Sequence, residues 1–160
     1  GNLLDVKSLG SADAHIVAKA TVGGGDLLAD VDAKIDGLGF GKYRYRDIKV
    51  DGSVEGSEYS VVVNSLDENL EFDLYGAMSL GEERPTYDFS VDMRRADLHA
   101  LGINRRDSVS VISAMLGARA EGKSIDEMDG GVSIADVIYR YADKELATDR
   151  LTVELTLCHR

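Results

Sequence analysis

The feature that most constrains this chain is a segment, from Leu70 to Leu80, in which apolar and polar side chains alternate. Its apolar members are Leu70, Phe72, Leu74, Met78 and Leu80, and its polar members are Glu71, Asp73, Tyr75 and Ser79. Because successive side chains of a β-strand point to opposite faces, the segment predicts a strand with one apolar face and one polar face. In a helix, the same apolar side chains would be distributed around the whole surface.

The same alternation recurs along the rest of the chain, and turns rich in glycine separate the segments. It predicts about ten strands, at residues 15–22, 27–36, 38–46, 48–50, 59–63, 70–80, 87–93, 109–120, 132–139 and 151–158. Short turns between consecutive strands favour an antiparallel meander.

Three segments depart from this simple alternation. The apolar phase shifts by one residue near Arg46 and Asp47, where we expect a β-bulge that keeps the apolar face consistent. Residues 94–101 predict a short helical turn that ends at Gly102. Residues 141–149 are mostly polar and predict a loop or a short helix.

The composition limits how this sheet can be covered. Of the 160 residues, 44% are hydrophobic, but only 6% are aromatic and Trp is absent, so a thick packed core is hard to build. No segment predicts a long covering helix. Periodicity alone favours a closed β-sandwich or barrel, whose inner faces cover each other about 10 Å apart. The alternative is an open, curved sheet whose concave apolar face holds an apolar guest.

The charge and the cysteine content exclude several classes of partner and site. A net charge of −11 argues against binding nucleic acid through phosphates and against docking on anionic lipid head groups. Cys158 is the only cysteine, so we expect no disulfide within the chain, which suits either cytoplasm or periplasm. The chain has neither an 18-residue apolar run nor the pattern of a signal peptide at Gly1, so we expect any signal or anchor to lie outside this segment.

The sequence also contains little that predicts catalysis. His15, His99 and His159 stand apart from any second histidine or cysteine at metal-ligand spacing. Residues 30–36 lack the middle Asp and the distal Glu of a calcium loop, and the glycines of 37–41 are not followed by a phosphate-binding helix. We therefore expect a protein that is not an enzyme and that uses neither a cofactor nor a metal.

Three motifs carry a resemblance to a known family. They are Leu-Asp-Glu-Asn-Leu-Glu-Phe-Asp-Leu-Tyr-Gly at 66–76, Ala-Asp-Leu-His-Ala-Leu-Gly-Ile at 96–103, and Gly-Lys-Ser-Ile-Asp-Glu-Met-Asp-Gly at 122–130. With Asp107-Ser108 and the later Tyr139 and Tyr141, they follow the order found in an internal segment of the TamB family of translocation and assembly module proteins, in the AsmA-like group. The chain resembles the members of this family that Bacteroidetes carry.

The resemblance implies a fold, a location and a function. Such proteins form a taco-like β-sheet half-pipe with an apolar lumen in the periplasm of Gram-negative bacteria. They are anchored in the inner membrane, outside the segment seen here, and often work with a BamA-type outer-membrane barrel protein. The resemblance implies two roles, which are non-enzymatic transfer of glycerophospholipids between the inner and outer membranes and assistance to the assembly of outer-membrane proteins. In the first role, which we expect, the acyl chains are held in the groove.

The resemblance implies that one set of apolar residues lines the groove. They are Leu27, Ala29, Val31, Ile35, Tyr59, Val61, Val63, Leu70, Phe72, Leu74, Phe89, Val91, Ile112, Leu116, Val153 and Leu155.

Two alternatives remain open at this stage. The segment could be a chaperone or assembly module that captures outer-membrane or secreted proteins by pairing with their strands. It could also be a spacer whose lumen is an ordinary packed core.

Overall fold

The computed structural model describes residues 9–124 and 127–156, and describes side chains for 12–124 and 127–152. It contains ten strands: β1 (Leu9–Gly23), β2 (Asp26–Phe40), β3 (Tyr43–Tyr45), β4 (Ile48–Glu55), β5 (Glu58–Asp67), β6 (Leu70–Ser79), β7 (Thr86–Asp97), β8 (Ser110–Glu121), β9 (Asp129–Tyr141) and β10 (Lys144–Thr156). The described residues contain no α-helix.

All ten strands belong to one antiparallel sheet. Its order is β1-β2-β4-β5-β6-β7-β8-β9-β10, and the short β3 pairs with β2 beside this path. Along the path the strands follow chain order, with β3 alone set aside, and β1 and β10 form the two edges. The predicted all-β antiparallel meander is therefore confirmed. The sheet is not closed, so its architecture is that of an open half-pipe and not of a sandwich or barrel.

The pairing register brings one apolar side chain from every strand of the path into a single row. The row consists of Ile16, Ala33, Val50, Val63, Leu74, Val91, Leu116, Ile134 and Leu151. Directly opposite residues of antiparallel strands point to the same face, so these side chains lie on one face of the sheet. We call this face the apolar face, and the opposite one the polar face.

Irregular positions in the strands keep the apolar residues on this face. At the predicted bulge, the strand breaks instead: β3 ends at Tyr45, β4 begins at Ile48, and Asp47 has a φ of 52°. In β9, Asp136 has a φ of 51° at the register shift where two residues of β9, Asp136 and Val137, face one residue of β8. Aspartate is among the residues that tolerate this left-handed conformation best. An extra residue at such a point restores the alternation that the sequence interrupts.

The helical turn predicted over residues 94–101 was wrong in its extent. β7 continues through Ala96 to Asp97, so the turn that was predicted over 94–101 begins only after the strand. Asp97 caps this turn by accepting hydrogen bonds from the backbone N–H of His99 and Ala100. Gly102 ends the turn with a φ of 77°, as predicted.

Residues 141–149 are neither a loop nor a helix. β9 and β10 are joined by a tight turn at Ala142 and Asp143, and β10 begins at Lys144. Lys144 and Thr148 occupy positions on the apolar face, opposite Tyr141 and Val137. Because those two positions are polar, the sequence did not show the alternation of a strand.

The sheet has no closed hydrophobic core among the residues that the structure describes. The buried hydrophobic side chains there are the two small ones of Ala96 and Ala114, which are 3% and 6% exposed. Most domains bury an apolar sheet face against a second layer. Here the described residues form a single layer, and its apolar face remains uncovered.

Candidate functional site

The predicted groove residues with described side chains all lie on the apolar face. They are Leu27, Ala29, Val31, Ile35, Tyr59, Val61, Val63, Leu70, Phe72, Leu74, Phe89, Val91, Ile112 and Leu116. The side chains of Val153 and Leu155 lie outside the described residues, and their backbones pair with Val132 and Gly130. The structure thus brings residues from distant parts of the sequence onto one continuous surface.

This surface is well exposed on the outer strands and partly exposed on the central ones, where Val63, Leu74 and Val91 are half-buried. Ile16 on β1 is 64% exposed, Val31 on β2 is 40% exposed, and Leu151 on β10 is 55% exposed. Exposed apolar patches of this extent usually mark a site that another molecule covers. The lumen is therefore not filled by the side chains of the described residues, as a simple spacer would require.

A shallow depression of about 240 Å³ lies in this face, beside the continuous row. Its lining comes from β2, β4, β5, β6 and β7, and includes Val31, Gly52, Val61, Gly76 and Phe89. These five residues form a second row across the sheet. Glycine within a strand often marks a place where another group approaches the backbone closely. That signal was present in the sequence, but the prediction did not include the two glycines.

The two glycines of this row have different surroundings. A Cβ atom at Gly76 would lie 2.7 Å from Cε1 of Phe89 and 3.0 Å from Cγ1 of Val61. A Cβ atom at Gly52 would meet nothing closer than the carbonyl oxygen of Ser60, at 3.7 Å. The Phe89 ring thus occupies the space above Gly76, whereas the space above Gly52 is free.

A hydrogen-bonded network borders the apolar face at one end of the strands. Asp67, which is 3% exposed, accepts hydrogen bonds from the Tyr43 hydroxyl at 2.6 Å and from the backbone N–H groups of Arg46 at 2.7 Å and Asn69 at 2.9 Å. Burial, followed by the hydrogen bond to Asp67, raises the pKa of Tyr43. The network fixes the β5–β6 turn against the break between β3 and β4.

A second polar cluster lies at the same end of the sheet, on β8 and β9. The hydroxyls of Ser110 and Tyr139 are 3.0 Å apart, and the Asn104 amide donates to Ser110 Oγ at 3.1 Å. The Tyr139 and Tyr141 rings stack with their centroids 5.4 Å apart. Lys144 Nζ lies 5.9 Å from the centroid of Tyr141. The 98–109 connection is thereby held against the margin of the apolar face.

The polar face carries charged side chains that interact across the strands. Arg94 donates to the carboxylates of Glu71 and Asp73, and its hydrogen bond is the main cause that lowers the pKa of Asp73. The carboxyl groups of Asp32 and Asp51 lie opposite each other on β2 and β4. Their hydrogen bond is the main cause that raises the pKa of Asp32. These charged groups keep the polar face hydrated.

Residues 9–124 and 127–156 contain no cluster of three or more His, Cys, Asp or Glu side chains that could hold a metal ion. Over the same residues, no helix has the length and the hydropathy needed to cross a membrane. That the chain is not an enzyme stays a prediction.

Comparison of the chain with protein-family models, with curated proteins and with solved structures gave no match. A functional proposal therefore depends on the geometry of the apolar face and on the resemblance carried by the sequence motifs.

Proposed function

We propose that this chain is a segment of a periplasmic, non-enzymatic lipid conduit, and that its apolar face binds the acyl chains of glycerophospholipids. The observation that carries the proposal is the apolar row from Ile16 to Leu151, which includes every strand of the path and lies on a face that no second layer of the described residues covers. With strands about 4.8 Å apart, nine strands give a surface about 38 Å long.

The energetics of lipid transfer support a continuous surface of this kind. A phospholipid with two acyl chains exposes about thirty methylenes to water, at about 0.8 kcal/mol each, or roughly 24 kcal/mol in total. A lipid that remains against an apolar face avoids most of this cost at each point of its path. Such a function needs no nucleophile, no acid–base pair and no cofactor.

The shape of the apolar face also suits a chain-like guest. Small side chains at Ala18, Ala33 and Ala118 and the glycine at Gly52 leave space between the larger Val and Leu residues. The carboxylates of the polar face, such as Asp30 and Asp32, keep the outside of the sheet in contact with water. The surface therefore offers nonpolar contact without a pocket of fixed length.

The resemblance to the TamB family supplies the cellular setting of the proposal. It supports a periplasmic segment of a protein anchored in the inner membrane, with a BamA-type partner in the outer membrane. The lipids would then be those that pass between these two membranes.

Site-specific photo-crosslinking of protein purified from bacteria tests lipid binding. We expect photoreactive residues at Val61, Phe72 and Leu74 to capture lipid that mass spectrometry identifies. Val62, Glu71 and Asp73 are matched controls, because they lie one residue away on the same strands and point to the polar face. Equal labelling at both sets of positions, or no lipid at either, would contradict the proposal.

The second candidate is a chaperone that captures strands of outer-membrane or secreted proteins. It is favoured by the length of the edge strands, because β1 has 15 residues and β10 has 13, and neither outer edge is paired within the described residues. Proline substitutions at alternate positions of β1, made in both phases, test it. One of the two sets of substitutions removes N–H groups that point away from β2, and the other removes N–H groups that pair with β2. Capture of an unfolded client should be lost only with the first set.

A further inference from the structure

The two rims of the sheet, where the strands end, differ strongly in charge. The turns at 24–25, 56–57 and 80–85 lie on one rim, together with residues 122–124 and 127–128. The turns at 41–47, 68–69, 98–109 and 142–143 lie on the other rim, because the strands form a simple meander. The first rim and its adjoining strand ends carry eight acidic side chains, those of Asp26, Glu55, Glu58, Glu82, Glu83, Glu121, Glu127 and Asp129. Arg84 and Lys123 are the described basic residues there. We call this the acidic rim.

The cations of the acidic rim do little to offset its charge. Arg84 pairs with Asp129 at 2.7 Å and with Glu121 at 3.4 Å, so its charge is already shared between two carboxylates. A phosphate group would meet net repulsion at this end of the strands.

The opposite rim, which we call the basic rim, carries most of the arginine side chains. Its basic residues are Lys42, Arg44, Arg46, Arg95, Arg105, Arg106, Arg140 and Lys144, and its acidic residues are Asp47, Asp67, Glu68, Asp97, Asp107, Asp143 and Glu145. Arg44, Arg95 and Arg140 are held by Asp13, Asp97 and Glu145. Among the described residues, the side chains of Lys42, Arg46, Arg105 and Arg106 form no ion pair.

One corner of the basic rim joins cationic and hydroxyl groups directly to the apolar face. Lys144 and Tyr141 are opposite each other on that face, and Tyr139 follows on the same side of β9. The loop that carries Arg105 and Arg106 reaches this corner through Asn104, which contacts Ser110. Asp107 is the acidic group of that loop, and it accepts a hydrogen bond from the Asn104 amide.

We propose that a bound glycerophospholipid places its phosphate at this corner of the basic rim, against Lys144 and the Arg105–Arg106 loop, with its acyl chains directed towards the acidic rim. The proposal rests on the proposed function. Ammonium and guanidinium groups donate to phosphate oxygens, and tyrosine suits a boundary between polar and apolar surroundings. From the net charge of the whole chain alone, the sequence predicted no docking on anionic lipid head groups. The separation of charge between the rims permits an anionic head group to bind at the basic rim.

The dimensions of the apolar face allow this orientation. From Ile112 near the basic rim to Ala120 near the acidic rim, β8 extends about 27 Å at roughly 3.4 Å per residue. The acyl chains of one leaflet occupy about half of the roughly 30 Å hydrocarbon core of a bilayer. The chains can therefore lie entirely between the two rims.

Competition between two lipids with identical acyl chains tests the phosphate contact. Native mass spectrometry of the protein with an equimolar mixture of phosphatidylglycerol and diacylglycerol should show a preference for phosphatidylglycerol of about tenfold, as expected for a few exposed ion pairs. The variant R105Q/R106Q/K144Q should lose this preference and still bind diacylglycerol. The variant K19Q/K34Q/K123Q removes the same charge from the polar face and the acidic rim, and it should keep the preference.

The outcomes separate the two proposals. Binding of neither lipid would contradict the proposed function. Binding of both lipids without preference, or an equal loss of preference in both variants, would overturn the phosphate site alone.

A second measurement needs no variant. Phosphatidylglycerol with a photoreactive head group should label residues 98–109 and 142–144, and the same lipid with a photoreactive group at the acyl terminus should label residues near Tyr87 and Ala120, where β7 and β8 reach the acidic rim. The reverse pattern, or labelling of both regions by both lipids, would overturn the proposed orientation.

Discussion

At the scale of single residues, the two glycines Gly52 and Gly76 occupy similar positions within their strands but have different surroundings. Both lie on the apolar face and share one cross-strand row with Val61, which stands between them. The Phe89 ring fills the space above Gly76, whereas the space above Gly52 is empty. A Cβ atom could therefore be added at Gly52 without displacing a neighbour, but not at Gly76.

We expect alanine substitutions at the two glycines to have opposite effects on stability. Gly76→Ala should destabilise the protein by about 1–3 kcal/mol, because the new methyl group forces the Phe89 ring to move. Gly52→Ala should stabilise it by about 0.5–1 kcal/mol, because the site has room and glycine weakens a strand. Urea unfolding midpoints measure both effects. Phe89→Leu combined with Gly76→Ala should recover part of the loss, and additive effects would contradict the contact.

At the scale of elements, side-chain networks hold the turns in place of a core. Asp67 connects β3, the start of β4 and the β5–β6 turn through the three hydrogen bonds that it accepts. Removing a buried acceptor leaves its donors without partners, which costs more than the loss of one hydrogen bond.

We expect Asp67→Ala to destabilise the protein by about 2–4 kcal/mol, because it leaves several donors unsatisfied. Tyr43→Phe removes one of the three hydrogen bonds and should cost about 1 kcal/mol. Chemical denaturation of both variants measures the difference. Equal effects would show that Asp67 acts only through Tyr43.

The facing pair of Asp32 and Asp51 on β2 and β4 should make stability depend on pH. The pKa of Asp32 is raised from its ordinary value of 3.8, so the folded state favours the protonated carboxyl group. Protonation of Asp32 therefore contributes to the stability of the folded state. This contribution is fully present below the ordinary pKa and is lost as the pH rises through the raised value.

We therefore expect Asp32→Asn to raise the Tm at pH 7 and to have a much smaller effect near pH 3, below the ordinary pKa of an aspartate, where protonation of Asp32 already removes its charge in the parent protein. Thermal unfolding from pH 3 to 8 measures this difference. Asp36→Asn is the control, because Asp36 pairs with Lys34, and its removal should not raise the Tm at pH 7. A gain for Asp32→Asn that is constant with pH would contradict the explanation.

At the scale of the whole molecule, the described residues form a sheet that stabilises itself mainly through its ladders and its polar networks. A guest on the apolar face would add the hydrophobic burial that these described residues do not provide by themselves. Binding to the folded state alone stabilises that state by mass action.

We therefore expect phospholipid to raise the Tm, by an amount equivalent to about 2.7 kcal/mol at a concentration one hundred times its Kd. Leu74→Glu should abolish this increase, because it places a charge in the middle of the apolar row. Tyr75→Glu, on the polar face of the same strand, should preserve it. The Tm of each variant without lipid controls for folding, and the same lipid-induced increase in both would contradict binding at this face.

The amino-acid sequence by itself determined the strands and their two faces. The alternation along a strand is a local property, so residues such as Phe72 and Leu74 could be assigned to one face without knowledge of their partners. The position of the irregularity near Asp47 could be predicted for the same reason. The strand that begins at Lys144 was missed, because polar residues occupy its positions on the apolar face.

Only the tertiary structure decided whether the sheet closes, which side chains share a row, and how charge is divided between the rims. These properties depend on pairing between residues far apart in the chain, and alternation is the same in a sandwich and in a half-pipe. The register joins Ile16 to Leu151 through one apolar row, and the meander places Glu82 and Arg105 on opposite rims. Local periodicity contains no information about either relation, because both arise from the order in which the strands pair.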